Sequence, residues 1–445
     1  MTNRQLLTLV PGFALACAAG PTSALAQTPA GSQAPVYIDV QRGLTIDELV
    51  ALGLKQSKRL QAARDRSEAA RDELDQAARR PNPSAAVLQR EQAGGSDRQT
   101  TLEVALPLEL YRRSARNDVA ARATDLAEAE LARNEWELAT QIRRESLKAL
   151  TAVRALEVTI QQADAARNLR DLVGASVEAG ALPRLDRDMA EVEARRIEAT
   201  VPLRRAEVDT ALLTLKALCG MALDASLQFR RSLEDEVSAM ASLTATDLKA
   251  AQEPTDRRPD LQLLRGEVAL AEAQVSSAQA GGRWDIELMG GYMRTAMSFP
   301  QIGFTPDGRP APISGRFHEV TFGARIMLPV FNANQGATAA ATARGHAATA
   351  AHAAATLEAT AETGAARSRW NALKQSADVY SGGLIALARQ NLEVVQQTYL
   401  AGRATLNDTL AERRRLLDLE MAYVGIQGDL GMADVELRRA LGVMR

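Results

Sequence analysis

Two aspartates occupy the same place in two similar short segments. Asp186 ends the segment EAGALPRLD, and Asp408 ends the segment LAGRATLND, 222 residues further along the chain. In each segment an Ala-Gly pair predicts a tight turn, because glycine adopts the positive φ that ends a helix. A carboxylate just after such a turn commonly caps the next helix, a contribution of about 1 kcal/mol. Spacing alone therefore favours capping over a direct functional role.

The rest of the chain offers few groups for chemistry. Only three histidines occur, His318, His346 and His352, and the last two are six residues apart, on different helix faces. No cysteine pair or methionine cluster accompanies them. Cys219, just before the helix stop Gly220, is predicted to be a small buried residue. Because glycine-rich phosphate loops and nucleophile elbows are also missing, the sequence predicts no metal site, no cofactor and no enzymatic activity.

The charge balance and the N-terminus restrict partners and compartment. The 53 Lys and Arg residues nearly balance the 55 Asp and Glu residues, which argues against nucleic acid as a partner. Residues 1–26 have the basic start, the apolar stretch and the Ala-Leu-Ala site of a signal peptide, so the mature chain is predicted to start at Gln27. The alternative is a lipoprotein site, in which Cys17 would be lipidated. With either site the protein is predicted to be exported.

The two aspartate segments belong to a longer internal repeat. The same 222-residue offset relates Leu106-Pro107 to Leu328-Pro329, and Leu218-Cys219-Gly220 to Ala440-Leu441-Gly442. Three landmarks at one spacing indicate a tandem duplication. The predicted divisions are a signal peptide at 1–26, a first repeat at 27–220, a connector at 221–259 and a second repeat at 260–445. The connector and residues 27–44 are predicted to be irregular.

The first repeat begins with a helix and a β-hairpin. Thr45 and Glu48 predict a capping box at the start of a helix that ends near Arg79. Alternating segments at 84–92 and 99–110 predict the two strands of a hairpin with one apolar face.

Two long helices complete the first repeat, over 112–218. No proline interrupts the helical periodicity from 114 to 178, a stretch that would be about 100 Å long as a helix. Asp186 is predicted to open the return helix, and Pro202 is predicted to kink it.

The second repeat has the same order of elements. A helix at 260–279 precedes strands within 284–330, and long hairpin helices are predicted over 334–441. Residues 295–316, rich in proline and glycine, are predicted to form a loop between the strands, at the cell exterior. The alanine-rich stretch 339–366 has the composition of a disordered linker, but it matches a helical part of the first repeat, so a helix is predicted.

Seven aromatic residues cluster around the second pair of strands: Trp284, Tyr292, Phe299, Phe304, Phe317, Phe322 and Phe331. In a soluble hairpin they would form a core. In an exported chain whose strands have an apolar face, lipid contact and an interfacial girdle explain them better. Four strands cannot close a membrane barrel, since about eight are the practical minimum, so the chain is predicted to form an oligomer.

The order of elements, the duplication and the Gly-plus-Asp turns resemble the TolC-type outer-membrane factors over essentially the whole mature chain. The resemblance implies a mainly α fold with a small β part. It implies a homotrimer whose twelve-stranded β-barrel contacts outer-membrane lipid and continues into a periplasmic α-helical tunnel. The junctions LPLELYRRSAR (106–116) and LPVFNANQG (328–336) are similar to those of the CzcC-type subgroup, from cobalt–zinc–cadmium efflux systems. That subgroup commonly has a basic residue where Ala333 stands.

The resemblance also implies roles for the turns. The hairpin tips would dock a periplasmic adaptor protein through Gly180, Ala181, Leu182, Gly402, Arg403 and Ala404. By alignment with the family, Asp186 and Asp408 would line the periplasmic entrance. Tyr399, just before the second turn, matches a residue that holds this entrance closed.

The implied function is that of an exit duct. The chain would be the outer-membrane channel of a tripartite efflux system with an inner-membrane RND pump, exporting divalent metal cations or other small toxic solutes. A drug efflux or type I secretion channel of the same fold is the alternative. A periplasmic coiled-coil adaptor fits less well, because such proteins normally carry one helical hairpin and no lipid-facing strands.

Overall fold

The computed structural model describes residues 37–250 and 257–443, and the side chains of the same residues except 245–250 and Pro300. The predicted signal peptide at 1–26, with Cys17, lies outside the described residues. The described chain is mainly helical with one four-stranded sheet, as the sequence predicts. None of its helices is both long enough and apolar enough to span a membrane.

Two helices, and not the predicted single one, open the described chain. α1 (Ile46–Gln56) starts at the predicted capping box, where the Glu48 N–H donates to the Thr45 hydroxyl and the Thr45 N–H donates to the Glu48 carboxylate. Ser57 then takes an extended ψ of 120°, so α2 (Lys58–Ala78) starts anew. Serine is only a moderately poor helix former, and nothing in the local pattern marks this break.

The four strands form one antiparallel sheet in chain order. They are β1 (Ser84–Glu91), β2 (Arg98–Pro107), β3 (Asp285–Phe304) and β4 (Pro310–Met327). The hairpins of the two repeats join through β2 and β3, where Leu102 pairs with Tyr292. Two distant parts of the chain thus build one surface.

The prediction of a loop at 295–316 is wrong. β3 and β4 stay paired through this stretch up to Phe304 and Pro310, and the turn is confined to 305–309. β2 accompanies β3 only as far as Ala296, so the outer part of the hairpin is a two-stranded ribbon with open edges. Proline and glycine are tolerated on such edges, so the proline- and glycine-rich composition led to the prediction of too long a loop.

The first helical hairpin has the predicted length and one more break than predicted. α3 (Arg112–Glu178) is a 67-residue helix, about 100 Å long. The return path consists of two helices, α4 (Arg184–Glu198) and α5 (Val201–Cys219), rather than one kinked helix. Pro202 lies in the first turn of α5, where its missing N–H would have no helical partner anyway.

The connector between the repeats is not wholly irregular, which corrects the prediction. It contains α6 (Leu233–Ala250). Leu233, Val237 and Met240 recur at helical spacing and are buried. Upstream of α6, Phe229 forms short parallel β-bridges with the segment just before α1. The connector is therefore packed onto the first repeat.

The helices of the second repeat are α7 (Pro259–Gly281), α8 (Gln335–Val379), α9 (Ile385–Leu400) and α10 (Leu406–Ala440). The alanine-rich stretch is helical, as predicted, and lies inside α8. A π-helical turn at 380–384 separates α8 from α9, because Gly383 has a φ of 132°. The Gly382-Gly383 pair is the local signal for this break.

The largest buried cluster lies where α1, α3, α5, α6 and α10 meet. Ile142, Leu215 and Leu437 are fully buried in it. Cys219 belongs to the same cluster, as predicted, and burial raises the pKa of its thiol to about 11. Gly220, with a φ of 71°, ends α5 at the predicted place.

The seven aromatic residues around β3 and β4 do not form a core. All are exposed in the single chain, from Phe299 at 39% to Phe331 at 96%. Of these, Tyr292 and Phe322 lie on the apolar face of the sheet, which has no cover within the described chain.

Candidate functional site

The first helical hairpin reverses at residues 179–183, here called the first tip. Gly180 has a φ of 76°. The N–H groups of Gly180 and Ala181 donate to the carbonyls of Val177 and Ser176, respectively. This pattern satisfies the last carbonyls of α3 and requires a left-handed residue at position 180, where glycine is unstrained.

Residues 401–405, the second tip, repeat that turn. Gly402 has a φ of 73°, and the N–H groups of Gly402 and Arg403 donate to the carbonyls of Tyr399 and Thr398. A Cβ added at either tip glycine would meet nothing within 4 Å. The backbone conformation, and not crowding, therefore favours glycine at both tips.

Asp408 belongs to the cap of α10, although the N-cap residue itself is Thr405. The Thr405 N–H donates to Asp408 Oδ2 at 2.9 Å, and the Asp408 N–H donates to Thr405 Oγ1 at 3.3 Å. The Thr405 hydroxyl also donates to Oδ2, at 2.7 Å. These hydrogen bonds from Thr405, first that of its hydroxyl and second that of its backbone N–H, hold the pKa of Asp408 below its usual value. Its predicted role in capping is right, but its position is the third in the helix.

Asp186 does not cap α4, which corrects the prediction from spacing. The N-cap is Pro183, and the Asp186 N–H donates to the Pro183 carbonyl at 3.1 Å. The Asp186 carboxylate instead accepts a hydrogen bond from the Tyr399 hydroxyl at 3.2 Å. Burial, the charge of Asp186 and this bond raise the pKa of Tyr399 to about 12. The structure thus brings Asp186 and Tyr399 together across the two hairpins and ties Asp408 to its own tip.

A small apolar cluster, here called the tip cluster, lies behind the two tips. It is built by Leu169, Val173, Ala190, Tyr399, Leu406 and Leu410. Leu182 and Ala404 pack against it. The other four tip residues are exposed: Gly180, Ala181, Gly402 and Arg403. Two of the six candidate docking residues therefore anchor the tips, and four are open to a partner.

A charged network that the sequence analysis missed lies about one turn further along α4 and α10. The Glu193 side chain, 3% exposed, accepts from Arg414 at 2.8 Å and from Arg196 at 2.9 Å. Burial raises the pKa of Glu193, but the two arginines outweigh it and hold the pKa below its usual value. Burial also lowers the pKa of Arg413, whose Nε and Nη1 have no hydrogen-bond partner within the described chain. The run of three arginines at 413–415 was the available signal, since adjacent helical residues cannot all face water.

A second network lies closer to the core. The buried Glu420 accepts from Arg389 at 2.7 Å and from Gln162 at 2.8 Å. It connects α3, α9 and α10. Both networks therefore join the helical hairpin of the first repeat to that of the second.

The three histidines lie on different parts of the chain. His318 is on β4, where its Nδ1 contacts the Tyr292 hydroxyl at 2.5 Å, and His346 and His352 are on α8. Within the described residues, no group of three or more His, Cys, Asp or Glu is placed to hold a metal ion.

Known proteins share this architecture. Residues 250–443 match the family model described as outer membrane efflux protein. The chain is 26% identical over 425 residues to the cobalt-zinc-cadmium resistance protein CzcC of Cupriavidus metallidurans, covering 95% of this chain and 96% of that protein. Among solved structures, CusC superposes with a TM-score of 0.71 at 15% identity, over 92% of this chain and 94% of that chain. VceC of Vibrio cholerae gives 0.70 at 20% identity, over 89% of this chain and 96% of that chain.

The fold is thus the fold of these outer-membrane proteins, with one shared sheet and two long helical hairpins. The match to the outer membrane efflux protein family covers residues 250–443, and the similarity to CzcC and the shared fold extend over most of the chain. These similarities agree with the family, the efflux function and the outer-membrane location expected from the sequence. The similarity to CzcC agrees with the resemblance of the strand-to-helix junctions to the CzcC-type subgroup.

Proposed function

We propose that this chain is the exit channel of a tripartite efflux system and that its cargo is divalent metal cations. The observation that carries the proposal is the separation of its two ends. The sheet with the uncovered apolar face lies at the start of α3, and the first tip lies at its other end, about 100 Å away. One end suits lipid, and the other suits a partner on the far side of the periplasm.

The sheet supports a trimer. Its outer strands, β1 and β4, each have one edge without a strand partner in the described chain. Open edges of this kind pair with other chains unless they are covered. Three copies of four strands give a twelve-stranded barrel, which closes every edge and turns the apolar faces outward to lipid.

The tips support docking of a periplasmic adaptor. Gly180, Ala181, Gly402 and Arg403 are exposed, and the tip cluster holds the two turns together from behind. A rigid pair of exposed turns is a suitable surface for a helical partner. The adaptor would connect the channel to an inner-membrane RND pump, in keeping with the CzcC-type resemblance.

The bond between Tyr399 and Asp186 is the candidate for closure of the entrance. It connects the second hairpin to the first directly at the tips, at 3.2 Å. In a trimer it would occur three times around the axis. Asp186 and Asp408 together would place six carboxylates at the entrance, and like charges around a narrow aperture concentrate cations.

The cargo is proposed from the similarity to CzcC, which extends over 425 residues. The test is deletion of the gene in its native host, followed by growth on zinc, cobalt and cadmium salts and on an organic dye. Tolerance of the metal ions should fall, and cell-associated metal should rise, while tolerance of the dye stays unchanged. The wild-type gene should restore tolerance.

The matched controls are two insertions of the same short epitope. An insertion at Gly402 should abolish the restored metal tolerance, because it destroys a tip, whereas an insertion in the exterior turn at 305–309 should be tolerated and reachable on intact cells. Loss of dye tolerance without loss of metal tolerance would instead assign the chain to organic solutes.

A further inference from the structure

The sheet has one continuous apolar face, defined by the register of its strands. Residues paired across β2, β3 and β4 share this face, and alternate residues along each strand return to it. Its large members are all exposed: Leu102, Val104, Leu106, Leu288, Tyr292, Val320, Phe322 and Ile326. Trp284, just before β3, extends the face towards the helices.

The height of this face matches a membrane. From Trp284 to Arg294 there are ten residues, about 33 Å along the strand at about 3.3 Å each. With the tilt of about 40° that barrel strands have, this is a height of roughly 25 Å, the usual height of the lipid-facing apolar band. Arg294 therefore lies at the outer edge of the band, where lipid headgroups begin.

Three arginines cluster at this outer edge, here called the outer basic patch: Arg98, Arg294 and Arg316. Arg294 lies in one row across the sheet, between Thr100 and His318. The next row outward contains Arg98, Ala296 and Arg316. The three arginines are exposed and lie on the same face as the apolar residues.

The outer basic patch has an excess of positive charge. Arg98 pairs with Glu91 at 3.5 Å, and Glu91 is the acidic residue that the register places in these two rows of the described sheet. Arg294 and Arg316 have no ion-pair or hydrogen-bond partner within the described chain. Two guanidinium groups per chain thus stand free at the boundary between lipid and water.

We propose that the outer basic patch binds the phosphate groups of anionic lipid headgroups in the outer leaflet of the membrane. A guanidinium group matches phosphate oxygens in a two-pronged geometry. Basic side chains at a membrane surface attract anionic headgroups, and the adjoining apolar rows accept the acyl chains of the same lipid. The inference rests on the proposed function, because it requires the sheet to stand in the outer membrane.

The test uses the full-length trimer in a neutral detergent and two lipid probes, lipid A with its phosphates and the same lipid after enzymatic dephosphorylation. Bound lipid is counted by native mass spectrometry. The wild type should retain the phosphorylated probe in preference to the dephosphorylated one. Arg294→Gln/Arg316→Gln should weaken this binding by roughly ten-fold or more, and high salt should weaken it in the wild type.

Arg90→Gln is the matched control. Arg90 is exposed on β1 at nearly the same height, but it pairs with Gln99 and so lies on the opposite face of the sheet. It should bind both probes as the wild type does. Equal binding of the two probes, or full binding by the Arg294→Gln/Arg316→Gln variant, would overturn the inference. Displacement of the lipid by equimolar inorganic phosphate would also overturn it, since it would show a simple anion site.

The same preparation separates this inference from the proposed function. A wild-type chain that is monomeric in detergent contradicts the proposed channel and the lipid patch together. A stable trimer in which the arginine substitutions leave lipid binding unchanged contradicts the lipid patch alone.

Discussion

The two tips have the same turn, but the helices that start after the turn are capped differently. Gly180 and Gly402 have φ values of 76° and 73°, and the same pair of backbone hydrogen bonds closes both preceding helices. After the turn, Asp408 joins a capping box with Thr405, whereas Asp186 leaves its own helix uncapped and binds Tyr399 of the other hairpin. The two matching segments thus share the turn, while their aspartates have different partners.

The second tip is therefore stabilised within its own helix, whereas the aspartate after the first tip contacts the other hairpin. A capping box acts within one helix turn, so it persists whatever the neighbouring hairpin does. The bond from Tyr399 to Asp186 exists only while the two hairpins lie together. Of the two tips, the first is therefore the one suited to opening.

The largest loss of stability is expected at the charged network around Glu193, which joins the two hairpins independently of the tip contacts. Glu193→Gln removes the charge that binds Arg414 and Arg196, and it should lower the free energy of unfolding by about 2–3 kcal/mol. Chemical denaturation of the purified protein measures this. Glu191→Gln is the matched control, because the Glu191 side chain is 34% exposed and pairs with the exposed Arg195 and, at 3.6 Å, with Arg170; it should cost at most about 1 kcal/mol. Equal costs would show that burial of Glu193 does not matter.

The shared turn predicts equal costs at the two tips. Gly180→Ala and Gly402→Ala should each destabilise by about 1–2 kcal/mol, because both glycines are left-handed and an added Cβ meets no neighbour. Gly364→Ala in α8, with an equally open Cβ position, should instead stabilise by about 0.5–1 kcal/mol. If the two substitutions lowered the free energy of unfolding by clearly different amounts, the two turns would not be equivalent.

A smaller effect distinguishes the second tip. Thr405→Ala removes the hydroxyl of the capping box and should cost about 1 kcal/mol in thermal or chemical unfolding. Thr405→Ser keeps the hydroxyl and should be close to wild type. Asp408→Asn should also lose little, since its carbonyl oxygen still accepts from the Thr405 N–H. If Thr405→Ala were neutral, the capping box would not stabilise the second tip.

The smallest effect concerns pH. The pKa of Tyr399 is raised from 10.0 to about 12, so the stability from its bond is fully present below pH 10 and is lost as the pH rises through about 12. Ultraviolet titration of tyrosinate, wild type minus Tyr399→Phe, should show this late ionisation. Asp186→Asn should move the ionisation towards lower pH, because it removes the charge that opposes it. Ionisation of Tyr399 near pH 10 in the wild type would contradict the buried bond.

The parts of the fold that depend on local sequence were predictable. The 67-residue α3 follows from unbroken helical periodicity, and the turns at Gly180 and Gly402 follow from the Ala-Gly pairs. The alternation of apolar residues predicted the positions of the strands. The outer parts of β3 and β4 were predicted as loop because they are rich in proline and glycine. Each of these features is set by neighbours along the chain.

The parts that depend on distant contacts were not predictable from the residues alone. Ser57 breaks a helix that the local pattern would continue, and the buried Glu193 binds Arg414, which is 221 residues away along the chain. Asp186 has the spacing of a cap, but its partner is Tyr399, 213 residues away. Spacing placed Asp186 just after a turn, and only the packing of the two hairpins shows that its partner is Tyr399.

The most direct test of the proposed closure is the single-channel conductance of the purified wild-type protein in planar bilayers, measured beside Tyr399→Phe. The wild type should give discrete, small current steps, since we propose that the bonds between Tyr399 and Asp186 hold the entrance closed. Tyr399→Phe and Asp186→Ala should each enlarge the steps, and the double variant should add little, because both remove one bond. Thr405→Ala, which acts at the second tip, should leave the steps unchanged. Steps of wild-type size in Tyr399→Phe would contradict the account.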